Sequence, residues 1–99
     1  MIRGTTPTLR FFLPFSVDRL DVAYITMQQD GMDVIEKTLE DCEAEGSELS
    51  FRMTQDDTLK LEAGRMVEIQ LRVRLKTGDA LASEIMRAPA SRILKDGVI

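Results

Sequence analysis

Hydrophobic and polar side chains alternate without interruption from Val67 to Lys76. The apolar positions are Val67, Ile69, Leu71, Val73 and Leu75, and the polar positions are Glu68, Gln70, Arg72, Arg74 and Lys76. A period of two predicts a strand with one buried face and one face in water. Thr77-Gly78-Asp79 follows, and its glycine can take the positive φ that a tight turn needs. We therefore expect residues 80–85 to fold back on this strand as a hairpin.

The same kind of pattern predicts four more strands, at residues 8–13, 18–29, 32–38 and 48–53. Asp30-Gly31 is a strong turn signal between the second and third of these strands, so we expect them to form a hairpin. Residues 18–29 are apolar on both faces near their middle. This predicts a central strand that is covered on two sides or that turns one side toward a partner.

Residues 39–47 carry the weakest signal in the chain. Glutamate and alanine favour a helix over 36–45, but Leu39, Cys42 and Ala44 make a poor apolar face for one. We therefore interpret residues 39–47 as a strand end followed by a polar loop, with the helix as the alternative.

The segments on either side of the long strand add one helical turn and one edge. Thr54 precedes Asp57 by the spacing of a capping box, which predicts one short helical turn within residues 54–61. After the closing hairpin, residues 86–90 indicate a break or an edge, and residues 91–95 are expected to extend the last strand.

About six to seven short strands, separated by turns, predict an all-β fold. A strand, a helical turn, a long strand and a closing hairpin follow one another as in the second half of an immunoglobulin-like domain. We therefore predict a small immunoglobulin-like β-sandwich over residues 8–99, preceded by a flexible arm of residues 1–7. A different small β-barrel is the alternative.

The charge is unevenly distributed along the chain. Residues 30–62 contain eleven acidic and three basic side chains, a local net charge of −8, whereas residues 63–99 contain seven basic and four acidic, a net of +3. Residues 1–29 contribute three basic and two acidic side chains, so the whole chain carries −4. This is either solvated surface charge or an acidic patch that meets the basic patch of a neighbour.

Composition bears on which kinds of chemistry we expect. There is no histidine, and Cys42 is the only cysteine, so an internal disulfide is excluded and a structural zinc site is disfavoured. Carboxylates on both sides of Cys42 are expected to raise its pKa and to make it unreactive. No apolar run is long enough to span a membrane, and no secretion signal is recognised. We therefore predict no catalytic residues, no metal, no cofactor, no membrane contact and no nucleic-acid binding.

Four short motifs carry a resemblance that covers nearly the full length of the chain. They are Arg3–Thr8 (RGTTPT), Leu13–Phe15 (LPF), Thr54–Leu59 (TQDDTL) and Ile69–Arg74 (IQLRVR). In these motifs the chain resembles small uncharacterised prophage and phage structural proteins of Gram-positive bacteria. In layout it is similar to the N-terminal β-sandwich domains of phage baseplate upper proteins, which anchor receptor-binding structures.

The resemblance implies a non-enzymatic virion component of the tail or baseplate, made in the cytoplasm of a bacterial host. Head decoration, a neck position and a prophage-encoded soluble adaptor or regulatory domain remain alternatives. The implied partners are other virion proteins or further copies of the chain in an oligomeric assembly. The family pattern supplies no functional residues. From the residues themselves, we predict an interface that includes Arg72 and Arg74 on a basic strand face, with Tyr24 and Leu9 adding apolar contact.

Overall fold

Alternating side chains and turn residues produce eight strands and one short α-helix in the computed structural model, which describes residues 1–99. The strands are β1 (Thr8–Phe12), β2 (Leu20–Gln29), β3 (Met32–Thr38), β4 (Glu43–Glu45), β5 (Glu48–Arg52), β6 (Met66–Leu75), β7 (Ala80–Ala82) and β8 (Met86–Pro89); the helix is α1 (Gln55–Leu59). The first sheet has the order β4-β5-β1. The second has the order β3-β2-β6, and β7 and β8 both pair with β6 along its other edge. All strand pairs are antiparallel.

β2 and β6 form the centre of the second sheet. Ile25 of β2 lies opposite Leu71 of β6, and both side chains are buried. Tyr24 and Arg72 lie opposite each other on the other face, which is turned to solvent. The predicted register of the long strand is therefore confirmed. β2 is central, as expected, but only one of its faces is covered, since Tyr24 remains 43% exposed.

Sixteen buried apolar side chains form a single core cluster. The first sheet contributes Phe11, Leu49 and Phe51, and the second contributes mainly β2 and β6. The side chains of each sheet that enter this cluster define its inner face, and the opposite side is its outer face. Because one cluster joins both sheets, they share one apolar interior.

The segment 39–47 differs from the expectation in detail. Leu39–Asp41 forms a 3-10 turn, and Glu43–Glu45 forms the short strand β4 against β5. The alternative helix over 36–45 is wrong, because residues 36–38 belong to β3 and its backbone pairs with β2. β4 has no buried residue, so no apolar alternation marked it in the sequence.

The last part of the chain agrees with the expectation only in part, since the predicted break or edge at residues 86–90 is an edge strand. Residues 86–89 form the regular strand β8 and pair with the first half of β6, because β7 covers only the second half of that ten-residue strand. Residues 91–95 do not extend it, and only Ser91 forms an isolated bridge, to Ile2. With β4 and β8 added, the strands number eight. The prediction of an all-β domain with one short helical turn is confirmed, with α1 inside the predicted range. No helix in the structure has the length and apolar character that crossing a bilayer requires.

Candidate functional site

An open apolar groove of about 560 Å³ lies between the first and the second sheet. One wall is β1 and the residues that follow it, and the other wall is β7, β8 and the link between them. β6 forms the floor. The side chains that matter most are Phe11, Leu13, Leu71, Val73, Leu81 and Met86. Pockets of roughly 300–1,000 Å³ with mostly apolar walls are the usual size for binding sites.

The groove exists because the first sheet is narrower than the second. The second sheet has four strand positions side by side, and the first sheet has three. Leu81 of β7 lies opposite Val73 of β6, so both side chains point to the inner face. Val73 is 5% exposed, but Leu81 is 45% exposed. The inner face is therefore covered at β6 and left open at β7.

The edge of β1 that borders the groove has unpaired backbone groups. Leu13 donates its N–H to Ser47 O at 2.8 Å, and Met53 donates its N–H to Pro7 O at 2.8 Å. These bonds show that odd-numbered residues of this stretch face β5. In an antiparallel ladder the residues between them point their N–H and C=O groups the other way. Thr8, Arg10 and Phe12 therefore direct their backbone groups away from β5, at the free edge.

Other sheet edges are interrupted. Along β6, Leu71 pairs with Ser83 and Ile69 pairs with Met86. The register shifts by one residue between these two pairs, so the β7–β8 edge contains a bulge. Ser83 holds this bulge, since its Oγ accepts the Leu71 N–H at 3.0 Å. The β3 edge has its own irregularity beside Met27. Bulges of this kind discourage strand addition, and β1 contains none.

The four predicted interface residues lie on two separate surfaces. Tyr24, Arg72 and Arg74 come together on the outer face of the second sheet, where Arg74 forms an ion pair with Asp21 at 3.0 Å. Leu9 lies on β1 opposite Phe51, half-buried against the core, so the structure does not bring it to the other three. None of the four lines the groove.

The acidic side chains of the first sheet lie on the opposite side of the molecule from Arg72 and Arg74, whereas Asp33 and Glu36 of β3 share the face of these arginines. Glu43 and Glu45 of β4 share the outer face of the first sheet with Glu48, which accepts a hydrogen bond from Arg10 at 2.8 Å. Arg72 and Arg74 occupy the outer face of the second sheet. A contact between the two surfaces therefore requires two molecules.

Asp57 is the one buried acidic side chain, and its bonds are structural. It accepts the Thr54 N–H at 2.9 Å and returns its own N–H to Thr54 Oγ1 at 3.1 Å, which is the predicted capping box. Lys37 lies 3.1 Å from its other carboxylate oxygen and 5.5 Å from the Phe51 ring centroid. Burial by itself raises the pKa of Asp57, but the hydrogen bonds from Thr54 and Lys37 outweigh it and hold the pKa below its usual range.

Cys42 is half-buried after the 3-10 turn at Leu39–Asp41, where its thiol contacts Thr38 O at 3.4 Å. Burial raises the pKa of the thiol, and the carboxylates of Asp41 and Glu40 raise it further. The raised pKa was expected, although burial contributes more than the neighbouring carboxylates on which the expectation rested. No three histidine, cysteine, aspartate or glutamate side chains come together in a group that could hold a metal ion.

Residues 1–7 lie along the end of β8 and the loop after α1. Met1 and Arg3 exchange backbone hydrogen bonds with Ser91, at 2.7 and 3.0 Å. The Arg3 guanidinium donates to Leu61 O at 2.9 Å and to Leu59 O at 3.2 Å. The sequence predicts a flexible arm here, and the structure gives this arm specific contacts with the domain.

Replacing Arg3 with methionine should lower the free energy of unfolding by about 1.5–3 kcal/mol, the usual range for hydrogen bonds to a charged group. The variant keeps an apolar stem and leaves two backbone oxygens without their donor. Urea unfolding followed by circular dichroism measures the effect as a lower midpoint with an unchanged slope. Arg92→Met is the control, because Arg92 is exposed and makes no side-chain hydrogen bond or ion pair. An equal loss in both variants would contradict a structural role for the arm.

The structure thus defines an all-β protein with an apolar groove beside an unpaired strand edge. An exposed sheet edge next to side-chain pockets is the arrangement by which many domains bind an extended polypeptide. No protein-family model, curated protein or solved structure matches this chain significantly. The function proposed below therefore rests on the groove and on the sequence motifs.

Proposed function

We propose that this chain is a non-enzymatic phage virion structural protein, a tail, baseplate or fibre-anchoring component that acts through protein–protein contacts. The observation that supports it best is the apolar groove beside the free edge of β1. Leu81 and Met86 are 45% and 43% exposed at one wall, and Phe12 is 78% exposed on the adjoining outer face of the first sheet, opposite Glu48. Clustered apolar side chains of this kind mark interaction sites on soluble proteins.

We also propose that the two sheets form an immunoglobulin-like sandwich. In that fold, strands A, B, E and D form one sheet and strands C, F and G the other, with additional strands beside C in some variants. The order β1-β5-β4 corresponds to B, E and D, and β2, β6 and β7 correspond to C, F and G, with β3 beside C. α1 then lies between strands E and F. In this correspondence the position of strand A, beside β1, is empty.

The proposal is tested on phage particles purified from cells that carry the gene for this protein. The protein should copurify with particles and be detected in them by mass spectrometry. Leu81→Ser should reduce its incorporation at least tenfold, because truncating a central apolar contact costs about 2 kcal/mol or more of binding free energy. Tyr24→Ser is the matched control, since Tyr24 has nearly the same exposure, 43%, on the other surface.

The outcomes separate the possible surfaces and roles. If Tyr24→Ser is lost from particles and Leu81→Ser is retained, the contact lies on the outer face of the second sheet with Arg72 and Arg74. If the intact protein is absent from purified particles, the virion role is excluded, and a prophage-encoded soluble adaptor becomes the leading function. Cryo-electron microscopy of particles that contain it distinguishes tail or baseplate from neck or head.

A further inference from the structure

We propose that the empty position beside β1 is filled by an extended strand of another protein, which pairs antiparallel with β1 and places alternate apolar side chains in the groove. This inference rests on the proposed function because it assumes a protein partner. It adds that the partner binds this site as an extended strand. Its first support is the backbone. Thr8, Arg10 and Phe12 together offer three N–H and three C=O groups at the free edge, since none of them is proline.

The edge has the length and limits of one short strand. β1 covers five residues and contains no bulge. Pro14 ends the edge, because the next outward-facing position after Phe12 lacks an N–H. Antiparallel addition is favoured because it is the slightly more stable pairing, and it continues the geometry of the first sheet.

The groove determines the side chains of the incoming strand. Successive side chains of a strand point to opposite faces, so every second one would enter the groove. There they would meet Leu71 and Val73 on the floor and Leu81 and Met86 on the far wall. Branched apolar side chains such as valine at alternate positions complement this lining.

The charged side chains on the outer face of the first sheet determine which residues alternate with the apolar ones in the incoming strand. The outward-facing side chains of the incoming strand would lie beside Arg10, which is 59% exposed, with Arg52 on the next strand. Glu48 pairs with Arg10, and Glu43 and Glu45 lie farther across the same face on β4, three strands from the incoming one. Arg10 is the one charged side chain of β1, the strand that the incoming strand would adjoin, so an acidic side chain opposite Arg10 is favoured.

A second copy of this chain fits the position poorly. If two β1 strands paired over their full length, each Arg10 would lie opposite the other, and like charges directly opposite each other destabilise a sheet. The β4 edge offers Glu43 and Glu45 to Arg10, but its inward-facing residue is Ala44. A methyl group would leave most of the 560 Å³ groove empty.

Synthetic peptides test the inference directly. The probe alternates valine with threonine and glutamate, and its binding to the full chain is measured by calorimetry. Amide hydrogen exchange, followed by NMR, should show Thr8, Arg10 and Phe12 unprotected in the free protein and protected at least tenfold in the saturated complex. Leu9 and Phe11 are internal controls, because their amides already face β5.

Two matched peptides test the backbone pairing. In an antiparallel pair the outward-facing residues of the peptide carry the N–H groups that point at β1. N-methylation of the threonine and glutamate residues should therefore weaken binding about tenfold or more, whereas N-methylation of the valines should change it less than threefold. Leu81→Ser should also weaken binding tenfold, and Tyr24→Ser should leave it unchanged.

Several results would overturn the proposal. One is the absence of binding, and another is binding that leaves Thr8, Arg10 and Phe12 unprotected, as expected for a small apolar ligand in the groove. Protection of these amides without peptide, increasing with protein concentration, would show that a second copy fills the site. Particle incorporation is a separate measurement. Peptide binding by a protein that is absent from particles would support the strand site and exclude the virion role.

Discussion

Replacing Leu71 with aspartate should prevent the domain from folding, whereas the same replacement at Arg72, one residue along, should be tolerated. Leu71 is 4% exposed and lies opposite Ile25, which is fully buried. The change removes about 1.5–3 kcal/mol of apolar burial and places an unpaired carboxylate in the core at a further cost of several kcal/mol. The sum is comparable with the whole stability of a small domain, about 5–15 kcal/mol.

Arg72 is exposed and forms no ion pair, so Arg72→Asp should change the free energy of unfolding by less than about 1 kcal/mol. Urea unfolding of both variants, followed by near- and far-ultraviolet circular dichroism, measures the difference. Similar behaviour of the two variants would contradict the register of β6, because a shift of one residue exchanges the two faces of a strand.

Replacing Asp57 with alanine should lower the free energy of unfolding by about 2–4 kcal/mol at neutral pH. Loss of a helix cap accounts for about 1 kcal/mol, and the unpaired Thr54 N–H and Lys37 ammonium account for the rest. The upper end of the range expected for breaking a buried ion pair, about 5 kcal/mol, is not reached because Lys37 is 24% exposed and can be hydrated. Asp56→Ala is the control, since Asp56 is exposed in the same turn and makes no side-chain hydrogen bond or ion pair.

The effect of Asp57 should depend on pH in a defined direction. Its pKa in the folded protein is lower than in the unfolded chain, so the ionised carboxylate stabilises the fold. This stabilisation is fully present above the unfolded-state pKa, about 4, and is lost as the pH falls through the folded-state pKa. The difference between the wild-type protein and Asp57→Ala should therefore be largest near neutral pH and shrink below about pH 4. A difference that grows on acidification would contradict this assignment.

Local patterns in the sequence determined the elements of the fold. Strict alternation between Val67 and Leu75 placed β6 and its buried face, because the side-chain period of a strand is two. Asp30-Gly31 placed the β2–β3 hairpin, where both residues take positive φ. Thr54 and Asp57 placed α1, because a capping box involves only residues three apart. Each of these signals depends on neighbours in the chain, so a single sequence is sufficient to find them.

Weak local signals were misread where tertiary pairing decided the structure. β4 has no buried residue, and it forms because its backbone pairs with that of β5. β8 forms because β7 leaves half of β6 unpaired. Lys37 lies opposite Ile25 and points to the same, inner face of the sheet. The partial burial of its ammonium is tolerated because α1 places the carboxylate of Asp57 beside it, which only the tertiary structure determines.

The groove is the feature that only the tertiary structure decided. Leu81 reads in the sequence as an ordinary apolar strand residue, and Met86 lies in a predicted break or edge. Both are exposed because the first sheet lacks a strand opposite β7, which depends on how many strands pair in each sheet. The sequence by itself determined which faces of the strands are apolar. It could not determine which of those faces would remain uncovered, because covering a face requires a neighbour that is distant in the chain or absent from it.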